Sequence, residues 1–285
     1  MGVFSIAEWG ECYGILKIRR KKRRNHHAGL CTACRQIDNA GGSATNIIQP
    51  EASVSYQIRA PKIAQVQELA ERIEKLARGA AMMTETEVDV QFQRATSELR
   101  VNETVNDVIF EYLQAFGATE ATAEDLALAG QLYEAIPEKN RGGTAANVAA
   151  SYDAEGETLA EAMKDSPLVQ LVMPRNACVR RYGASTDAGD VSQIKPTGFL
   201  TYACFVKDIP LHTWQAVSFG KTHYAHAGML QVARILGATA MRLADSPELV
   251  EKAKAEQWRQ SEKEPYVCIF PEQMKPPIQP RPSEN

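Results

Sequence analysis

No stretch of this sequence approaches the roughly 20 consecutive apolar residues that cross a bilayer, so no membrane span is expected. The opening residues, Met1 to Gly10, lack the long apolar core of a secretory signal. Gly2 follows Met1 as myristoylation requires, but Ile6 stands where that pattern wants Ser or Thr. Cysteine is sparse: six in 285 residues, too few for a disulfide framework, and read as the reduced thiols of a cytoplasmic protein. Histidine is scarcer still, with five. A Gly-rich phosphate loop, a G-x-S-x-G elbow and an H-E-x-x-H pair are all missing. A net charge of -3 argues against a nucleic-acid binder at the level of the whole chain. What remains is the composition of a globular protein, 44% hydrophobic and 24% charged, long enough for two ordinary domains.

Residues 1–40 differ in texture from the rest. Seven Lys or Arg fall between Lys17 and Arg24, followed by His26, His27 and a Cys31-x-x-Cys34 pair. A zinc site would need a second ligand pair at finger spacing after the cysteines, and none follows. A charge block of this kind reads as a solvated, disordered basic arm. From Gly41 the pattern changes. Val54, Tyr56 and Ile58 alternate as a half-buried strand requires. Pro61 then opens a helix on which Ile63, Val66, Leu69, Ile73 and Leu76 recur at three- and four-residue steps, with Gly79 as its expected end. Val88, Val90 and Phe92 alternate as a second strand.

Beyond Arg94 helices are expected at 105–116, 121–135 and 225–243. A further one starts at Ser246, placed as N-cap, with Pro247 in the first helical position. Residues 138–184 show no clear period and read as long loops with short elements. The run from Gly198 to Val206 is almost wholly apolar and suits a buried central strand. Six of the fourteen prolines lie beyond Glu264, so the tail is expected to be extended.

Three histidines gather between Pro210 and Met229. His223 and His226 share a helix face by their spacing, and His212 precedes that helix. They can serve one metal if a third ligand converges, or be satisfied by hydrogen bonds at a packed helix start. Their position after an apolar strand-like run favours a ligand-binding loop. Asp187 and Asp190, in STDAGDVS, read first as turn and cap chemistry. A metal ligand, or a group that orients a histidine, is the sharper alternative.

Three segments, GGSATNIIQPEASVSYQIRAP, STDAGDVSQIKPT and HTWQAVSFGKTHYAHAGM, occur in an order that resembles the two-metal amidohydrolase and carboxypeptidase family. The resemblance implies an α/β fold: a partial catalytic α/β domain with a partial ferredoxin-like lid that mediates dimerisation. The expected organisation is a basic arm over 1–40, a partial lid over 41–94, the C-terminal part of the catalytic domain over 95–262, and an extended tail over 263–285. It implies His212 as a metal ligand, and Asn46 and Arg59 as residues that bind substrate. An Arg fork suits a substrate carboxylate, because it donates two parallel hydrogen bonds. Asp187, Asp190, His223 and His226 are secondary candidates for the same pocket. The implied chemistry is hydrolysis of the amide bond of an N-acyl amino acid, with zinc or manganese as the divalent metal. The implied partners are that small substrate and a second copy or a paired, different subunit, with no nucleic acid or membrane.

The departures from the family are equally specific. No H-x-D occurs, and no two glutamates are adjacent, so the family's remaining ligands and its general base have no match here. Two metals need several carboxylate and imidazole ligands. The expectation is therefore a C-terminal portion that is inactive alone, with a shortened gene as the simplest cause. A non-catalytic binding or dimerisation protein that keeps the lid surface is the alternative.

Overall fold

The computed structural model describes residues 12–21, 33–38, 51–175 and 185–271, with residue 274. They form a mixture of helix and sheet, divided into two compact units. One unit takes the described residues up to Glu98, together with 185–190 and the tail beyond Glu264; the other takes the described residues of 99–183 and 191–264. No described helix is long and apolar enough to cross a membrane.

The first unit is built on four strands, β1 (Cys12–Lys21), β2 (Ala33–Asp38), β3 (Glu51–Ala60) and β4 (Glu87–Thr96), in the order β2-β3-β1-β4. Every neighbouring pair is antiparallel. Helix α1 (Ile63–Met83) connects β3 to β4 across the intervening β1, a split β-α-β arrangement. Its apolar stripe lies on the sheet: Val66 is fully buried with Ile58 and Ala60, and Ile63, Leu69, Ile73, Val90 and Phe92 close around them. Both strands and the helix expected between 51 and 96 are present. The helix does not stop at Gly79 but runs one turn further to Met83. A helical glycine costs only about 1 kcal/mol. The Thr84 hydroxyl then ends the helix by donating to the Ala80 carbonyl at 2.8 Å.

The arm expected over 1–40 is corrected at two places. Lys17 to Lys21 belong to β1, an inner strand paired on both sides, and 33–38 form β2. A ladder of backbone hydrogen bonds is indifferent to side-chain charge, which is why the charge block concealed a strand. Accordingly the first unit begins well before residue 41, and its boundary falls after Glu98 and not after residue 94. His26, His27, Cys31 and Asn46 lie outside the described residues.

Among its described residues the second unit contains helices and no strand. Helix α2 (Glu103–Phe116) is followed by α3 (Ala123–Glu134), the short α4 (Gly143–Ala149) and α5 (Gly156–Ala162). Helix α6 (Ala188–Ile194) begins in the first unit and ends in the second. Then come α7 (Trp214–Phe219), α8 (His223–Ala244) and α9 (Pro247–Lys263). The core gathers Ala129 and Leu132 of α3, Leu168, Val206 and Ile209, and Phe219 and Tyr224. Ile235 of α8 packs beside Ile109 and Leu113 of α2.

The buried central strand expected at 198–206 is not formed. The segment has no regular structure, although Ala203 and Val206 are buried as its composition demands. A strand needs a neighbouring backbone in register, and the second unit supplies no strand among its described residues. Ser246 stands at the N-cap of α9 with Pro247 after it, but its side chain makes no capping bond.

Asn102 shows how α2 is held. Fully buried, it accepts from the Val105 N–H at 3.1 Å and donates to the Ala253 carbonyl of α9 at 2.9 Å. Asn102→Ala removes a cap and leaves a buried carbonyl without its donor. The expected loss is about 2–3 kcal/mol of stability, read by urea denaturation.

Candidate functional site

His212 is exposed and has φ of +64°, a left-handed backbone that a non-glycine residue adopts only at a cost of about 1–2 kcal/mol. Asp208, four residues earlier, has φ of +63°. Two left-handed residues so close together turn the chain sharply before α7. Thr213 then restarts regular structure: its hydroxyl donates to the Pro210 carbonyl at 2.8 Å, and it caps α7 by accepting from the Ala216 N–H at 3.5 Å.

The base of this turn is tied down by charge. The Asp208 carboxylate accepts from the backbone N–H groups of Gly142 at 2.7 Å and Thr144 at 2.6 Å, and from the Tyr133 hydroxyl at 3.3 Å. Its own N–H donates to the Thr144 hydroxyl at 3.2 Å. Burial works to raise the Asp208 pKa, but the bonds from Thr144, Gly142 and Tyr133 outweigh it and hold the carboxyl below its ordinary range. Next to it, the buried Lys207 side chain donates to the carbonyls of Met163 and of Lys164, the latter at 3.2 Å. Its ammonium lies 5.4 Å from the centre of the Tyr133 ring. Burial lowers the lysine's pKa, with Asp208 and Asp165 opposing. These groups were not singled out from the sequence. The one available signal was a Lys-Asp pair closing an apolar run.

His223 opens α8 with its side chain largely exposed, and its Nδ1 is 3.3 Å from Oδ2 of the buried Asp125. Asp125 also accepts from the Thr122 N–H at 2.9 Å, the Thr122 hydroxyl at 2.7 Å and the Tyr224 N–H at 3.1 Å. It completes a capping box on α3 and simultaneously meets an otherwise unpaired N–H at the start of α8. Burial favours a raised pKa there, and these hydrogen bonds outweigh it and lower it. His226 is exposed one turn along α8.

The two aspartates of STDAGDVS belong to the first unit, as does Arg59 on β3, opposite Tyr13. Asp190 does not act as a local turn residue. Its carboxylate accepts from the Ser97 hydroxyl at 2.7 Å, the Ser97 N–H at 3.3 Å and the Tyr266 hydroxyl at 3.1 Å. Gly189 permits that approach, because a Cβ there would meet the Ser97 carbonyl oxygen at 2.0 Å. Asp187 is within 3.4 Å of the neighbouring Thr186 hydroxyl.

No three His, Cys, Asp or Glu side chains converge on a possible metal position among the described residues. His212 offers one imidazole, and the described residues do not by themselves fit a two-metal centre, which needs several ligands for two ions.

Removing the tether should loosen the His212 turn. Asp208→Ala leaves two N–H donors and a hydroxyl without their acceptor, and is expected to cost about 1–3 kcal/mol in denaturant unfolding. The carboxylate's folded pKa is lowered, so its contribution is complete above the ordinary value of 3.8 and is lost as pH falls below it. The difference between wild type and Asp208→Ala should therefore shrink in that acid range.

No protein-family model matches the chain. A comparison with curated proteins finds it 36% identical over 256 residues to the B subunit of p-aminobenzoyl-glutamate hydrolase from Escherichia coli, covering 90% of this chain and 52% of that protein. The chain thus spans about half the length of this relative. Among solved structures, a hydantoinase/carbamoylase family amidase from Burkholderia ambifaria aligns with a TM-score of 0.30 at 14% identity, over 41% of this chain and 36% of that one. A dinuclear metal binding peptidase from Bacillus subtilis aligns with a TM-score of 0.32 at 17% identity, over 40% and 35%. The similarity to this relative extends over nine tenths of the chain.

Proposed function

We propose that this chain forms the C-terminal part of an amidohydrolase of the p-aminobenzoyl-glutamate hydrolase type, acting in the cytoplasm on the amide bond of an N-acyl amino acid. The observation that carries the reading is the 36% identity sustained over 90% of the chain. In this reading His212 contributes one ligand to the family's divalent metals, zinc or manganese. The other ligands and the general base come from polypeptide equivalent to the other half of the relative. Arg59 receives the substrate carboxylate through its two-pronged guanidinium, and Asn46 donates to the substrate from the adjoining segment. Asp208 and Lys207 hold the turn that presents His212, and the left-handed backbone at that histidine is the kind of strain found at functional positions. Asp187, Asp190, His223 and His226 fall to supporting roles, since Asp190 and Asp125 spend their acceptors on packing.

The four-stranded unit serves as the lid. Its order β2-β3-β1-β4 with a split β-α-β crossing is that of a ferredoxin-like sheet, which supports this assignment. The same unit supports the alternative of a non-catalytic dimerisation protein, because β2 and β4 each lie at an edge of that sheet.

Hydrolysis of p-aminobenzoyl-glutamate, followed by release of glutamate with zinc or manganese supplied, tests the proposal. The chain alone is expected to show no turnover. Co-expressed with the other half of the E. coli relative, it should hydrolyse the substrate, with at least a roughly 100-fold loss in His212→Ala. Turnover by the chain alone, or calorimetry showing two tightly bound metals per chain, overturns the incomplete-site reading. A reconstituted pair without turnover, in a preparation that self-associates through the four-stranded unit, favours the dimerisation protein.

A further inference from the structure

Helix α8 is apolar on two opposite sides. Across 22 residues, HYAHAGMLQVARILGATAMRLA, it contains no acid and only two arginines. One of these, Arg234, lies 4.9 Å from the centre of the Phe116 ring, and its guanidinium donates to the Gln231 side chain at 3.1 Å. A helix whose apolar surface extends beyond a single stripe belongs inside a protein, covered on more than one face. Among the described residues only one face is covered. Tyr224, Gly228, Ile235 and Thr239 are buried, and α8 packs on α2 and α9. The opposite side exposes Met229 by 59%, Leu230 by 61%, Leu236 by 45% and Met241 by 69%. Ala233 and Gly237, also exposed, lie between them at three- and four-residue steps. The result is a continuous apolar stripe over about four turns. Long side chains alternate with small ones, as a surface that receives another backbone closely requires.

The size of the relative indicates what covers the stripe. This chain accounts for 52% of the length of the E. coli p-aminobenzoyl-glutamate hydrolase polypeptide, so a whole protein of that type carries nearly as much polypeptide again. The run from Gly198 to Val206 adds an independent sign. It passes close against α8 at Gly228, where a Cβ would meet the Cys204 sulfur at 2.9 Å and the Ala203 carbonyl oxygen at 3.3 Å. This run has the composition of a buried strand and no strand neighbours among the described residues. A core helix with one bare face, beside a strand-like run outside any sheet, is half of a layered helix-and-sheet core.

We infer that the outer face of α8 is a docking surface for polypeptide equivalent to the unmatched half of the relative, which presents an apolar face to Met229, Leu230, Leu236 and Met241. The inference rests on the reading above that the chain is part of an amidohydrolase, and it adds the surface through which the parts join.

The test co-expresses the full chain with the other half of the E. coli relative and measures assembly by sedimentation velocity. Leu230→Glu with Leu236→Glu is the disrupting variant. Both side chains are exposed, so circular dichroism and the thermal midpoint of the full chain should stay unchanged. Trp258→Glu, at another exposed apolar position on α9, is the control. The expected result is a one-to-one complex, weakened about 100-fold or more by the leucine pair and unaffected by the control. Absence of a complex from a folded chain overturns the inference. So does equal weakening by Trp258→Glu, or a self-associated wild-type chain that the leucine pair dissociates, which would make a second copy the occupant. A complex that forms through α8 but hydrolyses nothing retains the docking surface and removes the amidohydrolase reading. Hydrolysis insensitive to the leucine pair does the reverse.

Discussion

Helix α8 sets the constraint on which the helical unit depends: twenty-two residues without an acid must find apolar cover if they are to be stable. Its inner face meets that demand through Ile235 against Ile109 and Leu113, and through Tyr224, whose hydroxyl donates to the Val169 carbonyl at 2.7 Å. Gly228 lets the Ala203 carbonyl and the Cys204 sulfur lie against the helix, where a Cβ would crowd the sulfur at 2.9 Å. Burial raises the pKa of the Cys204 thiol, as an apolar surrounding does. The start of the helix is fixed by Thr222, and by Asp125, which serves two helix ends with one carboxylate. Buried hydrogen-bonded carboxylates of this kind hold elements in one arrangement more than they add net stability.

The His212 turn is organised from the same core. Val206 and Ile209 are buried on either side of Lys207 and Asp208, so the charged pair cannot swing out to water. Lys207 spends its donors on backbone carbonyls and Asp208 its acceptors on backbone N–H groups. The two therefore satisfy the ends of neighbouring segments instead of pairing with each other. This holds a segment with left-handed backbone at Asp208 and again at His212, and presents an exposed imidazole just before α7. In the first unit Asp190 works in a comparable way, holding Ser97 across a close backbone contact that only glycine at 189 allows.

Much of the local structure could be read directly. Alternation in 54–58 and 88–92 and the three-four stepping of 63–76 correspond to β3, β4 and α1, because each pattern is set by the backbone period of the element itself. The helices α2, α3, α8 and α9 follow for the same reason. Where sequence patterns misled, a partner was involved. Residues 17–21 look like a solvated charge block, yet form an inner strand because β3 and β4 pair with their backbone. Residues 198–206 look like a strand, yet have no ladder. The candidate site divides likewise. His212 stands as a candidate through its motif, whereas Asp208, Lys207, Tyr133 and Asp125 are held by contacts 43 to 99 residues away in the chain.

The sequence by itself determined the helix and strand periods, and it supplied the motifs on which the resemblance and the histidine candidates rest. These depend on residue type and spacing, which are local. Only the tertiary structure decided which carboxylates are committed to packing, which backbone adopts left-handed turns, and which face of α8 is left bare. Those outcomes depend on which distant atoms come within hydrogen-bond or van der Waals reach, and neither a period nor a motif encodes that.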